Sequence, residues 1–383
     1  MDDTESFDYA VVGAGLAGAA TAWRLAQRGH SVVILERAEP ANDAGSSHGS
    51  ARIFRYVYAD PFYTRLVQDS VAGWKELESV HGGSLITPTG CVDHGEVRGP
   101  RQLASVLEEA GLSHELLSPR EAAERWPQFS FDTEVLWHSA AGVIDAQSAV
   151  HAMVAAAVAQ SATLLSGWPV ASVAKSGAGY TLADPEGRTV TARQVVIAAG
   201  GWLPGLLAGL ELPAGFLRSL PRFEIRQETA FHFPYREQPA PDTGWPTFIH
   251  KADWIQVYGL PGGRDAGHRG QKIAEFNGGK VLADASAQDG KIDPDHRRRM
   301  VEYVKRHLPG LVPEPYAETT CLFTNTPNED FVIDRAEGIT ILSPCSGHGA
   351  KFAPLLGEMA ANLAGGMGRV PQRFRTSLME ARP

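Results

Sequence analysis

Asp8-Tyr9-Ala10-Val11-Val12-Gly13-Ala14-Gly15-Leu16-Ala17-Gly18, continued by Ser31-Val32-Val33-Ile34-Leu35-Glu36, is the stretch that decides the fold. Asp8 to Val12 read as a short buried strand. The glycine turn follows at once, then a helix through about Arg28, closed by Gly29 in a position that suits a left-handed cap. Ser31 to Leu35 form the next strand, and Glu36 ends it. Each residue type has a physical reason. Gly13 permits the tight turn, Gly15 lets a pyrophosphate approach the backbone, and Gly18 lets the helix lie close to the sheet. The phosphate charge meets the free N–H groups at the helix start. Glu36 can accept hydrogen bonds from a ribose, which favours an unphosphorylated ribose as in FAD or NAD. The motif defines a dinucleotide site and does not choose between the two.

The rest of the chain sets the scale. Its 383 residues, 43% of them hydrophobic, are too many for one compact core and suit two domains. A net charge of −9 disfavours a nucleic-acid or anionic-membrane surface. The densest basic run, Arg297 to Arg299 with Lys305 and Arg306, shares a helix with the apolar stripe Met300, Val301, Val304 and Leu308, so it reads as a solvated helix face. Three scattered cysteines, Cys91, Cys321 and Cys345, make no disulfide framework and no zinc pair, and no metal is expected. Met1 to Phe7 carries acids and no Lys or Arg, unlike a signal peptide. No apolar run approaches the ~20 residues that span a bilayer, and a cytoplasmic location is expected.

Three further segments narrow the cofactor. Gly45-Ser46-Ser47-His48-Gly49-Ser50-Ala51-Arg52-Ile53-Phe54-Arg55 would be poor core. It can bring hydroxyls, an imidazole and two guanidiniums to one ligand, or it is a surface loop. Thr191 to Ala198 read as a strand running into Ala199-Gly200-Gly201-Trp202, where a backbone packs against a ligand. Ala162 to Leu165 and Pro169 to Val173 read as two more strands. Near the C-terminus, Phe331 to Asp334 and Ile339 to Leu342 lead into Cys345-Ser346-Gly347-His348-Gly349-Ala350-Lys351-Phe352. A helix starting near Ala353-Pro354 could set its positive end beside a reduced flavin.

On the motifs GAGLAG, GSSHGSARIFR, AAGGW, CLFTNTPNEDFVID and SGHGAKF, the sequence resembles the family of monomeric sarcosine oxidase, N-methyltryptophan oxidase and related amine oxidases over nearly its whole length. The resemblance implies an α/β (α+β overall) fold, a glutathione-reductase-like Rossmann FAD-binding domain interleaved with a mixed-sheet substrate domain. The FAD domain would comprise 1–88, 142–216 and 320–383, and the substrate domain 89–141 and 217–319. Proline clusters at Pro213 to Pro221 and Pro234 to Pro246 suit crossover loops and sheet edges. The flavin would be joined through its 8α-methyl to Cys321, which by itself reads as a small buried hydrophobe between two threonines.

The resemblance also implies roles. Arg55 and Lys351 would hold a substrate carboxylate, a fork and a point charge sharing one anion. Lys272, on an expected strand Gln271 to Phe276, would promote reaction with oxygen, because a fixed cation stabilises superoxide. His48 and Arg52 would lie near the isoalloxazine ring. Arg37, Ser47, Val170, Gly200, Trp202, Gly347, His348 and Gly349 join Gly13, Gly15, Gly18 and Glu36 as expected cofactor contacts. Tyr258 matches a substrate-pocket tyrosine. Phe276 and Phe323 stand where the family has His and Tyr, so the pocket should be more apolar and the substrate larger than sarcosine or aromatic. Strand alternation sets Glu275 opposite Phe276.

The implied reaction passes a hydride equivalent from a C–H beside nitrogen to flavin N5, with imine and hydrogen peroxide as products and molecular oxygen as acceptor. The implied protein is a monomer acting on a small-molecule amine or amino acid. A flavin dehydrogenase with a non-oxygen acceptor, a non-catalytic flavoprotein and a plain NAD enzyme are the competing readings. Lys272 speaks against the first, and Cys321 with the SGHG loop against the last.

Overall fold

The computed structural model describes residues 6–239, 244–368 and 370–376. Most of the acidic start Met1 to Phe7, part of the Pro234 to Pro246 cluster and the end of the 320–383 segment lie outside the described residues. The strand Ser6–Val12 lies inside an eight-stranded sheet. It pairs in parallel with Val32–Leu35 on one side and Thr189–Ile197 on the other. Thr163–Leu165 extends the parallel set beyond Val32–Leu35, and Ile339–Ser343 extends it beyond the end of Thr189–Ile197. Val332–Ala336 joins Ile339–Ser343 antiparallel. A short meander, Ser172–Ser176 and Gly179–Ala183, pairs antiparallel with the start of Thr189–Ile197.

Parallel strands need crossovers and end up covered, which is why Val32–Leu35 is apolar and buried throughout. Helices Leu16–Gln27, Ala146–Ala159 and Ala353–Ala364 supply much of the cover, around Trp23, Leu25, Val150, Met153 and Leu356. Small residues let these helices close on one another. A Cβ on Gly357 would stand 2.5 Å from the Cβ of Ala20.

A second sheet of nine strands carries the other half. Its centre is Glu224–Pro234, Gly270–Glu275, Ile255–Pro261 and Thr247–Ala252, in that order. Period-two alternation gives it two different faces. Phe231, Phe233, Phe248, Val257 and Ile273 pack against Met300, Tyr303 and Val304 of the helix Pro294–His307. Glu228, Ala230, Ile249, Tyr258 and Lys272 face the other way, into a cavity between the two sheets. A third sheet of three short strands, Arg52–Phe54, Ile86–Pro88 and Gly142–Ile144, adjoins them.

Two sequence expectations need correction here. The segment switch at residue 320 falls inside the strand Ala317–Asn325, which pairs along Glu224–Pro234, so Cys321 stands on the second sheet. The strand expected at Pro169 to Val173 begins at Ser172 instead. Proline brings no ladder donor, and Pro169 to Ala171 line the cavity. The basic run on Pro294–His307 is ion-paired: Arg297 with Glu314 and Glu318, Arg298 with Asp295, Lys305 with Glu302. Among the described residues no helix is long and apolar enough to cross a membrane.

Candidate active site

The dinucleotide loop is built by close approach. Gly13 has φ +99°, and a Cβ there would stand 2.6 Å from the carbonyl oxygen of Ala198. A Cβ on Gly18 would stand 1.9 Å from the carbonyl oxygen of Gly13. Glu36 closes the loop from below: Oε2 accepts from the N–H of Ala14 at 2.7 Å, and Oε1 accepts from the N–H of Ala38 at 3.2 Å. The first helical N–H, of Leu16, donates to Ser47 Oγ at 3.0 Å. The Arg37 guanidinium lies 4.3 Å from the Trp202 ring. Gly18→Ala is expected to destabilise the protein by about 1–3 kcal/mol through forced backbone shift and to incorporate much less cofactor than the wild type. Thermal unfolding with absorbance after desalting checks both.

One cavity of about 760 Å³ runs from this loop to the second sheet, well within the range of cofactor sites. Arg37, Val170, Gly200 and Trp202 line its first end. His48, Arg52, Lys272 and Cys321 line its middle. Arg52 donates to the carbonyls of Ala51 and Ser46, both at 2.9 Å. Burial, then the charges of Arg52 and Lys272, push the His48 imidazole down to about 4, so the ring is neutral. Its Nε2 is buried without a partner among the described residues.

Lys272 is 7% exposed, and its ammonium makes one long hydrogen bond, 3.4 Å, to the Ala51 carbonyl. Burial and the neighbouring Arg52 lower its pKa to about 8. Cys321 is free, and burial raises its thiol while Arg52 and Lys272 pull it down. Directly across the strand pair stands Glu228, whose carboxyl burial raises to about 7.

The far end of the cavity is cationic. Arg55 NH1 is buried with no hydrogen-bond partner among the described residues, and its guanidinium sits 4.6 Å from the Tyr58 ring. Lys351 is 3% exposed and donates to Tyr58 Oη at 2.9 Å and to the His348 carbonyl at 2.7 Å. Burial and the Arg55 charge hold Lys351 well below the ordinary lysine range. Tyr58 Oη also meets His348 Nδ1 at 3.1 Å, and His348 Nε2 meets the Glu329 carbonyl at 3.0 Å. Since a carbonyl only accepts, Nε2 carries the proton and Nδ1 accepts from Tyr58. Burial and Lys351 hold His348 at about 3, which keeps that tautomer neutral. His348 therefore orients Tyr58, and Tyr58 orients Lys351.

The sequence candidates converge with one exception. Those at both ends and in the middle, including Gly13, Gly15, Glu36, Ser47, Tyr258, Gly347, Gly349 and Lys351, line the same cavity. Gly18 does not, and acts by packing behind the loop. Phe276 and Phe323 line it with ring centroids 6.2 Å apart. A Cβ on Gly347 would press on the Phe323 ring at 2.5 Å. Glu275 points to the opposite face and pairs with Arg299 at 2.9 Å. Sequence reasoning missed Tyr58, Arg98, Glu228 and Lys251 in the lining. Glu228 sits in a mixed polar and apolar strand, Glu224–Pro234, and only the sheet pairing turns it to the cavity.

Two groups of ligand-type side chains adjoin this region, Cys91 with Asp93 and His138, and His94 with Asp132 and His250. Asp93 is taken up by Arg98 at 2.5 Å. The rings of His94 and His250 stack at 4.1 Å, 15° from parallel, so their lone pairs do not converge.

A glycine loop on a parallel sheet, an acid closing it, and a cavity leading to buried cations define a dinucleotide-dependent redox enzyme. The chain belongs to the FAD dependent oxidoreductase family, whose model matches residues 8–363. It is 32% identical to the monomeric sarcosine oxidase of Streptomyces avermitilis over 374 residues, 94% of each chain. It is 30% identical to the peroxisomal sarcosine oxidase of Homo sapiens over 94% of this chain and 92% of that one. Its fold superposes on the open form of NikD, an unusual amino acid oxidase of nikkomycin biosynthesis, with a TM-score of 0.86 at 24% identity, over 97% and 98% of the two chains. The residues present fit FAD: the glycine loop opens onto the cavity, and His48 Nε2 and Trp202 Nε1 in its lining are buried polar atoms without a partner among the described residues.

Proposed function

We propose that the protein oxidises a secondary amine, an N-methyl or a cyclic amino acid that bears a carboxylate, and passes the electrons to dioxygen with release of imine and hydrogen peroxide. The observation that carries the reading is Arg55, a half-buried residue whose NH1 is buried with no hydrogen-bond partner among the described residues, beside the aligned ammonium of Lys351. Burying two cations without an anion is costly, and a carboxylate removes that cost. The names of the relatives, sarcosine oxidase among them, point the same way.

FAD, when bound, supplies the two-electron acceptor. The chain does the rest. Arg55 and Lys351 fix the carboxylate, with Tyr58 and His348 holding Lys351 in line. Tyr258, Phe276 and Phe323 exclude water around the C–H beside nitrogen. The dense positive charge favours loss of the amine proton, since the neutral amine is the form that gives up a hydride equivalent. Lys272 supplies a fixed charge where oxygen is reduced.

The test is anaerobic. A secondary amino acid should bleach the yellow enzyme, and admitted air should restore the colour with one peroxide per turnover. Bleaching without peroxide would favour a dehydrogenase using another acceptor. No bleaching across the class would remove the reading.

Attachment of FAD through its 8α-methyl to Cys321 is part of the same proposal, supported by a free thiol on the cavity face between two cations. Acid precipitation should leave the colour in the pellet for the wild type and release it to the supernatant for Cys321→Ala. Colour released from the wild type would sink the linkage. The domain assignment stands as a proposal with its last switch moved to the end of Ala317–Asn325. A monomer in the cytoplasm fits the acidic, cysteine-poor composition.

A further inference from the structure

Apart from Arg373, which Asp60 and Asp330 hold in ion pairs, the cations Arg55, Arg98, Lys251 and Lys351 reach the substrate end of the cavity from separate elements. Arg98 is matched by the buried Asp93. Arg55 and Lys351 are matched by one carboxylate, on the reading proposed above. Lys251 remains. It lies near the end of the strand Thr247–Ala252, on the same face as Ile249 and Tyr258. Its Nζ lies 5.7 Å from the Phe276 ring centroid, and no described residue gives it a hydrogen bond or an ion pair.

We infer that the substrate carries a second anionic group on its side chain, and that Lys251 is the residue that reads it. The class is the secondary amino acids whose side chain ends in a carboxylate. The two ends of such a molecule have separate partners, Arg55 with Lys351 for the first carboxylate and Lys251 for the second. Phe276 lies beside Lys251, Phe323 lies next to Phe276, and the two rings suit the methylene stem of such a side chain. The apolar pocket expected from those two phenylalanines is therefore capped by a charge. A wholly apolar side chain of that length would strip water from the ammonium and give nothing back.

The local electrostatics agree. Burial, then Arg98 and Arg55, lower the pKa of Lys251, and the opposing pull of Glu329 and Asp93 does not cancel them. The inference deepens the amine-oxidation reading and depends on its placement of the first carboxylate.

The experiment compares N-methyl-L-glutamate with N-methyl-L-norvaline, its neutral counterpart of similar length, on the holoenzyme. The readouts are kcat/KM and anaerobic bleaching. The wild type should favour the glutamate derivative by about 30-fold, the effect of one hydrogen bond to a charged group. Lys251→Met should erase that preference through KM, and Lys251→Arg should restore most of it. Equal use of the two compounds by the wild type overturns the inference, even if the Met variant does not fold. So does an unchanged ratio in a folded, yellow Lys251→Met protein. Bleaching by norvaline alone, or by neither compound while another secondary amino acid bleaches the enzyme, sinks this inference and spares amine oxidation, whereas no bleaching across the class overturns both.

Discussion

Lys272→Met is expected to slow reoxidation of the reduced enzyme by oxygen about 100- to 1000-fold, the scale for removing one preorganised charge from a developing anion. Reduction by amine should change far less. The first electron delivered to oxygen creates superoxide, an anion, in a cavity that water reaches poorly. Lys272 projects from Gly270–Glu275 onto the cavity face and is held by one long bond to the Ala51 carbonyl. Its charge is thus fixed in place but not neutralised. Arg52 stays in Lys272→Met with its guanidinium directed at the carbonyls of Ala51 and Ser46. Methionine keeps the length and the packing and removes only the charge. The same argument sets a pH dependence. With a pKa lowered to about 8, the side chain is an ammonium below that pH and neutral above it. Reoxidation should therefore fall as pH rises through about 8 in the wild type and stay flat in Lys272→Met. Double-mixing stopped flow measures it directly. Wild-type reoxidation by the Met variant, with a profile flat in both proteins, would assign the acceleration elsewhere.

What sequence could reveal follows from how local each feature is. The loop from Gly13 to Gly18 is legible because its geometry lies within one turn: a positive φ at Gly13 and a contact of Gly18 with Gly13 itself. Glu36 is legible because the strand before it fixes where it ends. Glu275 and Phe276 split to opposite faces by alternation alone. Cys321 resists such reading. Between two threonines it looks like any small buried residue, and only the pairing with Glu224–Pro234 turns it to the cavity. That pairing also moves the segment boundary, because a strand that leaves one unit to join the sheet of another has no signature of its own. The chain from Lys351 through Tyr58 to His348 crosses between distant segments, and no spacing encodes it. Lys251 hides for a different reason. In Thr247–Ala252 it follows His250 and precedes Ala252, which reads as a strand running out to solvent. Its cavity position appears only when Ile255–Pro261 folds back beside it.

Arg55→Met should weaken carboxylate binding about 1000-fold, the upper part of the range for truncating one member of a buried charge pair. The size follows from what is left. Lys351 remains, oriented by Tyr58 and His348, but a single ammonium meets only one carboxylate oxygen well. Part of the loss is offset within the site. Arg55 is one cause of the low pKa of Lys351, so removing it lets Lys351 hold its proton more firmly. Arg55→Lys should recover little, because the fork and its contact with the Tyr58 ring are both lost. Titration with benzoate, followed by the shift of the flavin band, reads binding without turnover. The wild type should discriminate strongly between benzoate and benzyl alcohol, and Arg55→Met should not. If the variant binds benzoate as the wild type does, the carboxylate lies elsewhere, and the guanidinium serves the fold rather than the substrate. If binding falls while the preference for benzoate persists, Lys351 is the principal anchor and Arg55 its support. Only loss of both affinity and preference fits the pair acting together, the role that an Arg55 NH1 unpartnered among the described residues and the aligned ammonium of Lys351 suit.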